Sequence, residues 1–493
     1  MKYFDTILYN KPLNNLLAHL IGHQLLQKGK STNRLFLLTV GIVFAGFNSI
    51  KAQNISLSPY SRFGLGSLEP VGATNHFAMG GLTMSYLDPY TINPGNPAAN
   101  AYLRETTFQF SARSSFLKLT NDNSSTNQQS TQINDISFAF KPENKRWAIV
   151  MGIAPYSYTG YNLDVADTST SPQVKYNYQG QGGINKANFG YSRYFRLFKG
   201  PKNQNGQDSS AYDAHSLSFG ANMNYYFGTV KQIRKVIFDD ITYANSRYTN
   251  STRLSQVSGE LGMHYMMPLH VEVQNKKIYR ASHISLGATY TMGGDFSAKY
   301  SEIGESYYLF STAEIPIDTS FYLAEVKGSV HVPEKIGLGL SYHSVWNYDR
   351  NLFMGVEYEI QDWSTYAWLF EGQETKGNFK EASNLSFGMQ YQPSSKSSEE
   401  RLFARSTYRF GVRHTETFLD FDGTSIAQNA VSAGISMPLK ASLSYSQIHI
   451  GFEYGQGGTT QNNLIQEDFI HFQIGFSLTP HIFNKWFLQR KYE

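Results

Sequence analysis

Four histidines occupy positions that a regular strand pattern would turn toward one side of a sheet: His264, His343, His449 and His471. A histidine activates a serine hydroxyl when a carboxylate or an amide orients its ring. Ser, Asp and Asn residues nearby would therefore allow a membrane-embedded hydrolase. No local motif marks a nucleophile, however, so we favour polar lining of a lumen and predict that the chain is not an enzyme and has no catalytic residues.

Two other motifs have chemical alternatives that the sequence does not support. Asp420-Phe421-Asp422-Gly423 resembles the start of a calcium loop but lacks the later ligands and the terminal Glu. Gly180-Gln181-Gly182-Gly183 does not join a buried strand to a helix, which a nucleotide-binding turn requires. The chain also has no cysteine, which removes disulfides and thiol catalysis. We therefore predict neither a cofactor nor a metal.

Alternating strands dominate the chain from Thr106 to about Leu478. In the last predicted strand, one face is apolar and the other is small and polar. The apolar face carries Ile470, Phe472, Ile474, Phe476 and Leu478, and the polar face carries His471, Gln473, Gly475 and Ser477. A soluble sandwich would show more Lys and Glu on its solvent face. The pattern therefore predicts a transmembrane β-barrel with a polar lumen.

The composition agrees with a barrel. Aromatic residues make up 15% of the chain, charged residues only 16%, and there are 41 glycines, as aromatic girdles, a lipid-facing band and tight turns require. The net charge of +4 is too small, over 493 residues, to indicate nucleic acid binding, and no basic cluster interleaves with aromatics. The expected partners are outer-membrane lipid and a hydrophobic small molecule, with any protein partner unidentified.

The beginning of the chain has the features of an export signal. Lys28, Lys30 and Arg34 precede an apolar run over 35–47, and Lys51-Ala52-Gln53 offers a small-residue cleavage point. Residues 1–52 are accordingly interpreted as leader and signal peptide, with the mature chain starting near Gln53. Since no other run reaches 18 apolar residues, strands must make every crossing. The predicted location is the cell outer membrane.

Fourteen strand candidates follow between residues 105 and 480, and residues 481–493 form a short tail. The candidates lie near 105–118, 131–141, 146–158, 184–197, 214–228, 252–267, 281–298, 325–343, 350–361, 383–393, 402–415, 428–438, 441–455 and 467–479. An even number is what a single-chain bacterial barrel requires. Short turns alternate with long polar connections such as 159–183 and 229–251, which we expect to be extracellular loops.

Residues 53–104 differ in kind from the strands. Turn formers recur every few residues and no periodicity is sustained. Irregular backbone is tolerated at membrane depth where protein surrounds it, so this segment is predicted to fill the lumen as a hatch. Asn96-Pro97-Ala98 would be part of that hatch, or alternatively only a turn that starts the first strand.

These features together resemble the long-chain fatty-acid transporter (FadL-like) family of outer-membrane proteins. The resemblance rests on the order of Gly80-Gly81, Asp88 and Asn96-Pro97-Ala98 before the strands, and continues at residues 332–339 and 379–382. It implies an all-β fold, a 14-stranded antiparallel barrel with an N-terminal hatch, and passive uptake of hydrophobic molecules such as fatty acids. A related branch serves secretion or surface attachment, so an accessory barrel that binds or hands over a protein partner is the alternative.

The resemblance also suggests where a ligand would leave. Members of the family have an inward kink in the third strand that opens the barrel wall toward the membrane. Gly152 and Pro155 lie in the third predicted strand, and proline cannot donate to a strand ladder. We therefore expect a lateral opening at Gly152 and Pro155, although Pro155 could also merely end the strand at the rim.

Overall fold

The computed structural model describes residues 58–122, 124–143, 145–199, 214–274, 277–310, 313–395, 401–439 and 445–479. The predicted leader and signal peptide, and the predicted C-terminal tail, lie outside the described residues. No helix in the described part of the chain is long and apolar enough to cross a membrane.

One antiparallel sheet contains every strand of the described chain. The first ten strands are β1 (Ser67–Leu68), β2 (Thr107–Thr120), β3 (Ser125–Phe140), β4 (Trp147–Asp167), β5 (Val174–Lys199), β6 (Ala214–Phe238), β7 (Asn245–Gln274), β8 (Lys277–Thr291), β9 (Gly294–Phe310) and β10 (Ala313–Val332). The others are β11 (Lys335–Trp346), β12 (Arg350–Asp362), β13 (Ala367–Phe370), β14 (Gln373–Lys376), β15 (Glu381–Gln392), β16 (Thr407–Phe421), β17 (Thr424–Pro438), β18 (Gln447–Gly458) and β19 (Gln466–Leu478). The α-helices are α1 (Thr74–Phe77) and α2 (Leu402–Arg405), and short 3₁₀ helices lie at Pro59–Arg62, Pro97–Tyr102, Trp363–Thr365 and Gln461–Asn463.

The sheet closes on itself as a barrel. β19 pairs with β2 from Gln466↔Thr120 to Leu478↔Phe108, which joins the last strand to the first strand of the wall. β8 and β9 are consecutive parts of one wall strand, because both pair with β7. β10 and β11 are likewise consecutive parts of the next wall strand, since β10 pairs with β9 and β11 pairs with β8. With these two bent positions counted once each, the wall has fourteen strands. The predicted all-β, 14-stranded antiparallel barrel is confirmed.

The outer surface carries an apolar band. At least one apolar side chain is exposed on the outside of each of the fourteen wall positions, including Ile133 on β3 and Val431 on β17. Examples are Phe108, Met151, Phe189, Phe219, Leu261, Leu286, Leu338, Met354, Leu385, Phe410, Phe452 and Ile470. Closure leaves no free sheet edge around most of this band, as lipid requires. The chain is thus a transmembrane β-barrel of the outer-membrane type.

The predicted long outer loops are wrong in part, because much of their length is strand. β4 continues to Asp167 and β5 starts at Val174, so the connection expected over 159–183 shrinks to a few residues. β6 and β7 likewise extend through most of 229–251. Above the membrane the outward face no longer needs to be apolar, so apolar alternation ends while ladder hydrogen bonds continue.

Candidate functional site: the lumen and the β3–β4 seam

The N-terminal segment (residues 58–104) lies inside the barrel, against a belt of glycines. A Cβ atom at any of these glycines would stand within 3.2 Å of an atom in the segment. The glycine belt comprises Gly220, Gly262, Gly287, Gly339, Gly355, Gly388, Gly411, Gly434, Gly451 and Gly475, one from each of ten strands. Only a residue without a side chain lets the segment come this close to the wall.

Polar side chains of the wall bind the backbone of the segment just beside this belt. The two carboxylate oxygens of Glu357 accept hydrogen bonds from Thr83 N at 2.7 Å and from Ser85 N at 2.8 Å. The Ser432 hydroxyl on β17 accepts from Gly80 N at 2.9 Å, and the Ser386 hydroxyl on β15 donates to Gly80 O at 2.8 Å. The segment is therefore bonded to the wall and not merely packed in the lumen.

Asn96, Pro97 and Ala98 lie at this belt, facing β6 and β7. Asn96 is fully buried, and its side-chain amide donates to Met84 O at 2.6 Å while its carbonyl accepts from Ala98 N at 2.9 Å. Gly220 and Gly262 make the room, since Cβ atoms there would approach Pro97 C to 2.4 Å and Asn96 Oδ1 to 2.2 Å. The structure thus places the predicted motif within the lumen, capping the 3₁₀ helix Pro97–Tyr102.

Within the same segment, His76 on α1 is completely buried beside Tyr86, with ring centroids 5.4 Å apart. Burial lowers the pKa of His76 to about 3, and the charge of Arg409 acts in the same direction. The ring is therefore neutral near pH 7.

A second packed layer, the mouth cluster, lies at the outer end of the lumen. Its centre is Trp363, completely buried in the connection between β12 and β13, with the ring of Phe418 stacked on it at 4.6 Å. Tyr366 and Phe379 pack around these rings, and Leu65 belongs to the same cluster. Tryptophans of transmembrane barrels commonly lie at the membrane interface. Trp363 does not, because an inward connection carries it into the lumen.

Between the glycine belt and the mouth cluster lies the central cavity, with a volume of about 290 Å³. Its lining is mixed. Leu117, Phe418, Leu419, Ile426 and Phe469 form an apolar side, while seven glutamates and three cationic side chains also face it. A long hydrocarbon would require a purely apolar tunnel, and these residues do not form one.

The wall has a seam between β3 and β4. Their ladder covers five register pairs, from Phe140↔Ile149 to Ile136↔Ile153, whereas β4 pairs with β5 along almost its whole length. Gly152 lies in the paired part, opposite Ser137 and Asn188, and Pro155 lies beyond it at a register shift against β5. Met151 and Ile153 are exposed on the outside, so the seam begins within the apolar band.

Residues 67–72, here called the strap, bridge the seam from inside. On one side, β1 pairs with β4 through Ser67↔Tyr158 and Leu68↔Ser157, and Glu69 N donates to Tyr156 O at 3.0 Å. On the other side, the Glu69 carboxylate forms a buried ion pair with Arg113 of β2. Asn134 of β3 donates to Gly72 O at 3.1 Å. The strap is therefore anchored on both edges of the seam.

The predicted histidines do not assemble a hydrolase site in the described part of the chain. His449 bonds two hydroxyls, with Nδ1 at 2.6 Å from Ser436 Oγ and Nε2 at 2.9 Å from Ser477 Oγ, so no carboxylate or amide orients the ring. The rings of His283 and His343 lie at a tilt to each other, with centroids 4.8 Å apart. Asp422 and Gly423 form the tight turn between β16 and β17, both with positive φ. No group of three or more His, Asp or Glu in the described residues could hold a metal ion.

Several comparisons with known proteins bear on this arrangement. The model of the BamG protein family matches residues 34–200 and 207–493. No curated protein sequence matches the chain.

Among solved structures, the toluene transporter TodX of P. putida superposes with a TM-score of 0.51 at 14% identity, covering 84% of this chain and 100% of that one. The toluene transporter TbuX of Ralstonia pickettii gives 0.50 at 12% identity, covering 84% and 99%. A Pseudomonas aeruginosa FadL homologue gives 0.48 at 12% identity, covering 84% and 100%. At such identities the likeness concerns the fold, and the two toluene transporters confirm the kind of barrel that the resemblance to FadL-like proteins implied.

Proposed function

The chain belongs to the BamG family, and we propose that it is a passive conduit of the outer membrane for a small hydrophobic molecule, which leaves sideways into the bilayer through the β3–β4 seam. The observation that carries this proposal is the end of the β3–β4 ladder at Ile136↔Ile153, inside the lipid-facing band. The toluene transporters TodX and TbuX share the fold, which supports the substrate class.

The route follows from what blocks the lumen. Residues 58–104 act as the hatch, with Asn96, Pro97 and Ala98 among the residues seated on the glycine belt. A molecule that reaches the central cavity is therefore stopped on the periplasmic side. The seam borders the same space, because Glu69 of the strap and the strap's partners Arg113 and Tyr158 all line the cavity. The strap is the barrier that a ligand must displace to enter lipid.

The cavity volume limits the size of the ligand. About 290 Å³ accommodates a compact molecule of roughly monoaromatic size, given that a cavity of about 150 Å³ holds benzene. A long fatty acid would not be enclosed. The proposal therefore favours small aromatic or aliphatic molecules over fatty acids.

A disulfide across the strap tests the route. Leu68 and Ser157 are register partners, which suits a disulfide, and the chain has no other cysteine to compete. In vesicles with a lipopolysaccharide outer leaflet, the wild-type protein should accelerate entry of a fluorescent hydrophobic probe. The oxidised Leu68→Cys/Ser157→Cys variant should slow that entry, and reductant should restore it.

The matched control places the disulfide away from the seam, at Asp420→Cys/Ser425→Cys, another pair of register partners. Oxidation of this control should leave probe entry unchanged. Failure of the wild-type protein to accelerate entry at all would contradict the conduit function, whereas equal entry through the locked variant would contradict the lateral route.

A second candidate function, an accessory barrel for a protein partner, is favoured by the outer extension of the wall. β9 and β10 form a long pair, in which Phe310 at the tip is exposed to 75% and Tyr322, further along β10, is exposed to 69%. Large apolar side chains exposed to water often mark protein contacts. This candidate predicts that Phe310→Ser and Tyr322→Ser together release a stoichiometric partner during purification from native membranes, while probe entry stays at the protein-free rate.

A further inference from the structure

The central cavity contains a buried carboxylate that the conduit function does not use. Glu467 of β19 is only 4% exposed and faces the cavity. Its partner in the described part of the chain is the Ser58 hydroxyl, which donates to Glu467 Oε1. No ion pair with a lysine or arginine of the described residues involves it. A buried carboxylate without a cation takes up either a proton or a cationic ligand.

The surroundings of Glu467 are apolar. On the lumen side, β19 and β2 place Glu467 opposite Leu119 and Phe469 opposite Leu117, and these three apolar residues form one buried cluster. On the other side, β18 presents Gly457 opposite Glu467, and the side chain of Gln428 lies over that glycine. Glu467 also lines the central cavity together with Leu117 and Phe469, so the carboxylate borders its open volume with an apolar wall beside it.

Tyr60 closes this corner without supplying a charge. Its hydroxyl donates to Ile465 O at 2.7 Å and accepts from Ile465 N at 3.0 Å. Burial raises the pKa of Tyr60 to about 12, so the ring stays neutral. Tyr60, Phe418 and Phe469 offer aromatic rings around the cavity, and aromatic faces attract organic cations.

The other charged groups of the cavity are mostly paired among themselves. Arg413 bonds Glu453 at 3.0 Å, and Lys335 bonds Glu359 at 3.0 Å. With seven glutamates against three cationic side chains in the lining, the cavity as a whole also favours positive charge. Glu467 is the one of these glutamates that combines deep burial, an apolar wall and adjoining free volume.

We infer that the part of the central cavity around Glu467 binds a small organic cation, in which an ammonium group meets the carboxylate and a compact apolar body packs on Leu117, Phe418 and Phe469. The inference deepens the proposed function by naming the substrate class as amphipathic amines, and to that extent it rests on that function. The ligand would displace water from the apolar wall, and its ammonium group would be the positively charged partner that no described lysine or arginine provides for Glu467.

Three probes of one size separate the effect of charge from that of hydrophobicity. Benzylamine is cationic near neutral pH, benzyl alcohol is neutral and benzoate is anionic. Isothermal titration of the purified full-length mature protein in non-ionic detergent should give affinities in that order. An ion pair in a partly buried site makes a preference of about tenfold or more for the amine over the alcohol reasonable.

The variant Glu467→Gln keeps the volume and removes the charge, so it should abolish the preference for benzylamine over benzyl alcohol. Glu374→Gln is the matched control, because Glu374 lies exposed on β14, and it should leave the preference unchanged. Both variants must retain the heat-modifiable folded band on gels. Should Glu467→Gln not fold, the three-probe series on the wild-type protein still decides the question.

The inference is overturned if benzylamine and benzyl alcohol bind equally, if none of the three probes binds, or if the amine preference survives in folded Glu467→Gln. Each of these results can be told apart from failure of the proposed function. A protein that still accelerates entry of a neutral hydrophobic probe through the seam would remain a conduit, but one whose Glu467 is held protonated and takes no cation.

Discussion

The glycine belt allows a sharp test of whether the N-terminal segment is seated in the wall. Gly411 of β16 lies against the backbone of that segment, and a Cβ atom there would stand 2.2 Å from Gly80 N and 2.2 Å from Met79 C. Ordinary contacts of this kind are more than 1 Å longer, at about 3.5 Å. Backbone atoms cannot rotate away as a side chain does, so Gly411→Ala must displace the segment or distort β16.

The magnitude follows from the contacts that displacement removes. Forcing an extra methyl group into packed structure costs about 1–3 kcal/mol. Gly80 also holds hydrogen bonds to Ser432 and Ser386, worth about 1 kcal/mol each when lost. Gly411→Ala should therefore destabilise the seated segment by about 3–5 kcal/mol. That is enough to populate an unseated state in which the lumen conducts ions.

Planar-bilayer recordings measure this directly. The wild-type barrel should be nearly silent, and Gly411→Ala should show long-lived openings together with a lower midpoint of heat modification. Gly304→Ala on β9 is the matched control, because its nearest neighbour, at 3.2 Å, is the rotatable hydroxyl of Ser320. Silent recordings and an unchanged midpoint for Gly411→Ala would refute the seating of the segment on the belt.

Three further changes test the hatch, the seam and the strap, and a fourth tests the buried histidine. Deletion of residues 53–104 should leave a folded barrel that conducts ions continuously, and unchanged conductance would place the segment outside the lumen. Pro155→Val should restore a ladder donor at the seam and slow probe entry in vesicles, while an unaltered rate would argue against exit there. Glu69→Gln leaves Arg113 buried without its partner, so it should loosen the strap by about 3–5 kcal/mol and speed probe entry unless the strap plays no part. The pKa of His76 is lowered to about 3, whereas an unfolded histidine titrates near 6.5, so the folded state loses about 2 kcal/mol of stability as pH falls from 7 to 5. In His76→Gln the melting midpoint should therefore depend less on pH over that range than in the wild-type protein. An equally steep pH dependence in both proteins would contradict this.

The barrel was predictable from sequence because lipid and lumen impose opposite demands on alternate residues. The same constraint made the belt predictable, although that signal was missed. Each belt glycine stands between two apolar residues, as in Phe219-Gly220-Ala221, Leu261-Gly262-Met263 and Phe410-Gly411-Val412. A glycine repeated at the same point of ten strands marks where another part of the chain approaches the inner wall. Gly152, between Met151 and Ile153, follows the same pattern, which a search for strand breaks alone does not reveal.

Other parts of the site are not accessible to such reasoning. Some contacts join residues that no local pattern relates, since Glu69 of the strap meets Arg113 of β2, and Ser58 meets Glu467 across most of the chain. Trp363 looks like any interfacial tryptophan until the connection that carries it is seen to fold inward. The outer strands were mistaken for loops because, above the membrane, hydrogen bonding alone maintains them and leaves no apolar period to read.

The contacts themselves decide which barrier is easier to move. The N-terminal segment contacts glycines on ten strands and bonds the wall through Glu357, Ser432 and Ser386, so lifting it whole would break many interactions together. The strap is held by two register pairs, a few hydrogen bonds and the ion pair of Glu69. Each neutral hydrogen bond contributes about 1 kcal/mol, so releasing one edge of the strap costs far less free energy than lifting the whole N-terminal segment from the belt. Local opening follows the least stable unit of a structure. On the proposed conduit function, we therefore expect a ligand in the central cavity to reach lipid through the seam more readily than it reaches the periplasm past the belt.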